Sequence, residues 1–147
     1  MHAIHLPITS LFCACLIMIG TMPASAHQLK PGLYEIVVNV ELPNLLRTSK
    51  AKRVKRCITP QQIEKHDAFR IESDNPLARC DRAPICMSEK KAGFQVNCIG
   101  GSGGHADALF TTSEDQFSGT IRMNMGGKNM TVLELQEGRR LGDCLDK

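Results

Sequence analysis

The chain has 147 residues, a formal net charge of +3, no tryptophan and 4% aromatic residues. That length holds a single domain with its own core, and so few aromatic rings leave little to stack on nucleic-acid bases. Beyond the leader no stretch approaches twenty apolar residues, so no membrane-spanning helix is expected there, and neither an internal repeat nor a heptad pattern is present.

Residues 8–19 form an apolar run that Gly20 and Pro23 end, and Ala24-Ser25-Ala26 follows as a small-x-small cleavage site. The run would rise ~18 Å as a helix, short of the ~30 Å hydrocarbon core. We therefore expect a cleavable Sec-type signal peptide over 1–26 and one exported domain over 27–147, in the periplasm or secreted. The leader carries no Lys or Arg, which departs from the usual pattern. A lipoprotein reading would use Cys15 after Ala14, but it needs cleavage inside the apolar run.

From Tyr34 to Leu42 the even positions are Tyr34, Ile36, Val38, Val40 and Leu42, with Glu35, Asn39 and Glu41 between them. Period-two alternation of this kind makes a strand with one buried face. Arg47, Lys50, Lys52, Arg53, Lys55 and Arg56 then crowd into 47–56. They could contact an anionic envelope component, or they could be the solvated Lys and Arg that keep an edge strand from pairing with other chains. Thr59 as N-cap, Pro60 at the first position and Gln61 to His66 predict one short helix.

Cys80 to Ser88 and the strand carrying Phe94, Val96 and Cys98 flank the polar turn 89–93. If Cys80 faces Cys98 across this hairpin, paired residue numbers sum to 178, and Cys86 lies opposite Ala92, roughly 20 Å from that bridge. Ala83, Ile85 and Met87 have the wrong parity for this register, and a bulge near Pro84 would reconcile them. Cys57 and Cys144 would then form the second pair, leaving Cys86 as a free thiol. Cys13 and Cys15 depart with the signal. No two cysteines stand at zinc-knuckle spacing, so structural disulfides in an oxidising compartment are the expectation.

Gly100-Gly101-Ser102-Gly103-Gly104 matches the G-x-S-x-G pattern of hydrolases, with His105 following. That elbow needs a helix next and an Asp and a His further along the chain, and no histidine follows His105. A glycine turn is the simpler reading, and a hydrolase is disfavoured. His105 to Thr112 reads as a strand with Ala106, Ala108 and Phe110 inward. Phe117, Gly119, Ile121, Met123 and Met125 alternate with Gln116, Ser118, Thr120, Arg122 and Asn124. A two-residue Gly126-Gly127 loop would set Met123 against Met130 and Ile121 against Val132. Met123, Met125 and Met130, joined by His27 as the new amino terminus, are the candidate soft-metal (copper) ligands, and core filling is the rival use of those methionines.

The expected fold is mainly β: an antiparallel curled sheet or partial barrel of about six to seven strands with one short helix, stapled by disulfides. The sequence offers no carboxylate pair, P-loop or dinucleotide fingerprint, no catalytic residue and no cofactor. It points to a binding or interaction module rather than an enzyme, with an anionic envelope component or an apolar small ligand as partner.

Lys30-Pro31-Gly32-Leu33-Tyr34-Glu35, Cys57-Ile58-Thr59-Pro60, Cys80, Cys98, the Gly/Met-rich hairpin at 123–130 and Gly142-Asp143-Cys144 form an ordered pattern. In that order they resemble the bacterial exported family called domain of unknown function 3617, over nearly the whole exported part. The resemblance implies a periplasmic or secreted location and framework cysteines at Cys57, Cys80, Cys98 and Cys144. It implies no activity. Tyr34 stands where the family usually has Trp, Cys86 is extra, and the methionines common after the family's first strand are missing at Asn44-Leu45-Leu46.

Overall fold

The computed structural model describes residues 29–43, 47–88, 90–98, 103–127 and 130–145, without the side chains of 47, 48, 86 and 87. The expected signal peptide, His27 and Ser102 lie outside the described residues, as does the thiol of Cys86.

The strands are β1 (Gly32–Leu42), β2 (Arg47–Thr48), β3 (Lys52–Ile58), β4 (Arg82–Met87), β5 (Lys91–Asn97), β6 (His105–Thr112), β7 (Gln116–Asn124) and β8 (Thr131–Gly142). All pair antiparallel in one sheet, in the order β2-β1-β8-β7-β6-β5-β4, with β3 also on β1. β2 and β3 share the flank of β1 that β8 does not occupy, so seven strands stand side by side. The sheet is unclosed, with β3 and β4 as its edges. Between them runs helix α1 (Pro60–Glu64), an irregular strap over 65–75 and a 3-10 turn at Pro76–Arg79.

Alternation places Tyr34, Ile36, Val38, Phe94, Val96, Ala106, Ala108, Phe110, Phe117, Ile121 and Met123 on one face, where Ala68, Phe69, Ile71 and Leu77 of the crossing segment cover them. The Phe69 ring stacks on Phe110 at 4.4 Å between centroids and meets Phe117 edge-on at 5.1 Å. Tyr34 closes the cluster against Phe117 at 5.8 Å. Contacts of this kind add about 0.5–1.5 kcal/mol each to the burial of the rings. Gly119 and Gly138 make room for them: a Cβ at either would lie 2.1 Å from the ring of Phe110 or Phe117.

Thr59 caps α1 as expected, in a capping box with Gln62, and Pro60 opens the helix. The helix stops at Glu64, two residues before the expected end, and His66 turns the chain with a positive φ of 58°. Cys57 is bonded to Cys144 and Cys80 to Cys98, with Cα separations of 5.5 and 5.4 Å. The first bridge joins residues 87 positions apart, a closure that the loop-entropy account values at about 4.6 kcal/mol.

The β4–β5 register follows the cysteines: Arg82 pairs with Val96, Ala83 with Gln95 and Pro84 with Phe94, and the register shifts between Pro84 and Cys86. The bulge at Ile85 moves Cys86 opposite Gly93, where an unbroken ladder would have set it opposite Ala92. The β7–β8 hairpin corrects the sequence reading. Met123 pairs with Val132 and Asn124 with Thr131, and the Met125 amide donates to the Met130 carbonyl at 3.0 Å. The pairing therefore closes at Met125 and Met130, two residues wider than a Gly126-Gly127 loop would set it. Gly126 takes a positive φ of 80°, and the Asn124 side chain accepts the Gly126 N–H.

Candidate functional site

The strap is the first unusual feature, because an irregular segment over a core must have its backbone polar groups satisfied. Side chains from both sheet edges and its centre do this. From β3, Arg56 Nη2 donates to the Ala68 carbonyl at 2.8 Å, and from β4, Arg82 donates to the Phe69 carbonyl. From β8, Gln136 Nε2 donates to the Arg70 carbonyl at 2.8 Å. Glu134, fully buried, accepts the Glu72 and Ser73 amides at 2.8 and 3.1 Å, the Ser73 hydroxyl and the Gln136 amide. Lys52 Nζ reaches the Glu72 carbonyl at 3.3 Å. Because neighbouring strap carbonyls are held from β3 and from β4, the strap closes the seam that hydrogen bonding leaves open.

These clamps carry a consequence for β8. Its inward residues include Glu134, Gln136 and Gly138, so its leucines point the other way. Leu133 and Leu135 lie half-buried on the outer face, near exposed Leu109 and half-buried Val37. Two adjoining depressions of about 510 and 400 Å³ cross this face. Leu109, Leu135, Thr120 and Gly119 line one, and Val37, Arg53, Glu35, Gln116 and Arg139 line the other. Both touch Thr111, Ser118 and Glu137. The trough is thus apolar over Leu109 and Leu135 and charged toward Arg53 and Arg139. Glu35 accepts from Arg53 Nη1 at 2.9 Å and stands between Arg139 and Lys55 in the register. The expected pairing of Ile121 with Val132 already set the even positions of this strand inward, but nothing local showed that Glu134 and Gln136 would hold a strap or that the leucines would line a trough.

The basic stretch is split by the strand period. Arg53 and Lys55 face outward, whereas Lys52 and Arg56 face the strap. Lys50 is exposed beside β3, and Arg47 lies in β2, its side chain outside the described residues. Arg56 leaves the expected anion-contacting surface altogether: its side chain is 8% exposed, with Nε 2.8 Å from Glu72 Oε1. That N–H is not aligned on the carboxylate, so the contact is an ion pair and not a hydrogen bond. Burial, and then the nearby Arg70 and Arg82, lower the Arg56 pKa against the pull of Glu72.

The candidate methionines differ in depth. Met123 is sealed in the core, Met125 packs against it and takes an Asn75 amide contact at 3.5 Å, and Met130 is exposed. Among the described residues no group of three His, Cys, Asp or Glu could hold a metal ion. The glycine run leads from β5 into β6, where His105 is exposed and pairs with Asn124, so a strand stands where a nucleophile elbow needs a helix.

No curated protein and no solved structure matches the chain. A family model does match, over residues 29–144, and it spans both disulfides and all strands of the sheet. The chain belongs to the family described as "Protein of unknown function (DUF3617)".

Proposed function

We propose that this protein is an exported binding module that holds an amphiphilic anion, an acyl chain with a negatively charged head, on the outer face of its sheet. The observation that carries this reading is the facing of β8. Its polar residues hold the strap, so Leu133 and Leu135 join Leu109 and Val37 on a face that is polar in most one-sided sheets. Arg53 and Arg139 stand at one end of the same trough and supply the charge for the head group, with Lys55 paired opposite Glu35 beside them. The volumes of the depressions match those of small-ligand sites, ~300–1,000 Å³.

Export rests on the apolar leader with its Ala24-Ser25-Ala26 site and on the two disulfides, which suit an oxidising compartment. No described helix is long and apolar enough to cross a membrane. The test titrates oxidised 27–147 protein with a fluorescent fatty carboxylate and with its alcohol analogue. Saturable binding of the carboxylate, weakened about tenfold by Leu109→Ser with Leu135→Ser and separately by Arg139→Gln, is the expected result. Binding that ignores both changes, or no saturable binding, overturns the reading.

A further inference from the structure

The seam between the two sheet edges gathers more positive charge than its carboxylates answer. Arg56, Arg70, Arg82 and Lys52 meet around the strap, with Glu72 and Asp67 as their partners. Glu72 Oε1 lies 2.8 Å from Arg56 Nε and 3.1 Å from Arg70 Nε, and Asp67 pairs with Arg82. Glu134 also meets the strap, where two amides, a hydroxyl and Gln136 occupy its oxygens. Within this cluster Arg56 Nη1 is buried and has no hydrogen-bond partner. A buried guanidinium N–H without an acceptor is costly. An anion at this position supplies the acceptor.

We propose that the seam is a binding site for a phosphate-type oxyanion, seated on Arg56 Nη1 and flanked by the Arg70 guanidinium. A tetrahedral oxyanion suits the position because guanidinium forks donate parallel N–H groups to its oxygens. This site lies on the strap side of the sheet, apart from the trough on the outer face, and stands or falls independently of it. Bound there, the anion ties β3 to the strap that β4 also holds, so it stabilises the seam by mass action.

The test uses oxidised 27–147 protein with inorganic phosphate against chloride at matched ionic strength, read by thermal unfolding and by the phosphorus resonance. The expected result is a saturable rise in melting temperature. Arg70→Gln, a half-exposed residue that holds no strap carbonyl, should weaken phosphate about tenfold. Arg56→Lys keeps the charge without Nη1 and should abolish the effect, while Arg122→Gln, exposed on the outer face, should leave it unchanged. No saturable shift in the wild-type protein means that water alone satisfies Arg56 and overturns the proposal. An equal shift in Arg70→Gln, or its loss in Arg122→Gln, overturns it as well. Vesicles with phosphatidic acid separate the two sources of such an anion. Co-sedimentation that phosphate competes away assigns a lipid headgroup, and a phosphate response without co-sedimentation assigns the free ion.

Discussion

Replacing Glu134 by Gln tests whether buried polar clamps, and not apolar packing alone, hold the strap. Each Glu134 oxygen accepts two donors: Oε1 from the Glu72 amide and Gln136, Oε2 from the Ser73 amide and hydroxyl. Glutamine puts an N–H2 group in place of one oxygen. The Ser73 hydroxyl can turn and accept from it, but a strap amide cannot, so whichever way the new side chain lies one backbone N–H loses its acceptor. That costs about 1–3 kcal/mol, and the bonds that remain lose their charge assistance. The sum is about 3 kcal/mol, roughly a 150-fold change in the folded-to-unfolded ratio. With a urea dependence of ~1.5 kcal/mol/M, the midpoint of oxidised 27–147 protein should fall by about 2 M without a change in slope. Hydrogen exchange at the Glu72 and Ser73 amides should quicken in the same variant. Glu137→Gln, exposed on the other face of β8, is the control and should stay within about 0.5 kcal/mol. A Glu134→Gln midpoint indistinguishable from that control would refute the reasoning.

Two further outcomes follow from the core. The Tyr34 phenol is buried and donates to the Lys30 carbonyl at 2.7 Å, and burial, with Asp115 nearby, raises its pKa from 10.0 to about 12. The raised value means that the fold favours the neutral phenol. Its contribution to stability is therefore complete below pH 10.0 and lost as the pH climbs toward about 12. As the sole tyrosine in a chain without tryptophan, it reports itself through phenolate absorbance, and a midpoint near 10 in the folded protein would contradict its burial. Gly138→Ala should destabilise by about 2 kcal/mol in urea unfolding, because the new Cβ falls 2.1 Å from a Phe117 ring that Tyr34, Phe69 and Phe110 hold in place. Gly127→Ala, which meets the flexible Met130 side chain, should be near neutral, and equal effects would show that ring packing does not set the cost.

The sequence by itself determined the elements whose cause is local. Alternation marks β1, β6 and β7, because each strand's apolar residues recur at every second position and have one core to face. Thr59 and Pro60 mark the start of α1, since capping is settled within one turn. The cysteine spacing even predicts the β4–β5 register and its bulge, because a cross-strand disulfide and the parity of Phe94 and Val96 constrain the same ladder from two sides. The one-residue displacement of Cys86 was beyond it, since the length of a bulge is set by which backbone groups find partners.

What only the tertiary structure decided is the facing of polar residues. Leu133, Glu134, Leu135 and Gln136 alternate cleanly, and hydrophobicity alone would send the leucines inward, against the expected Ile121–Val132 pairing that sets the even positions there. The strap settles that conflict, because its amides and carbonyls need donors and acceptors beneath them. Residues some sixty positions away in the chain supply those groups. The same long-range demand takes Arg56 out of a run of surface cations and buries it against Ala68 and Glu72. Backbone hydrogen-bond satisfaction is a property of the assembled fold, and no local periodicity encodes it.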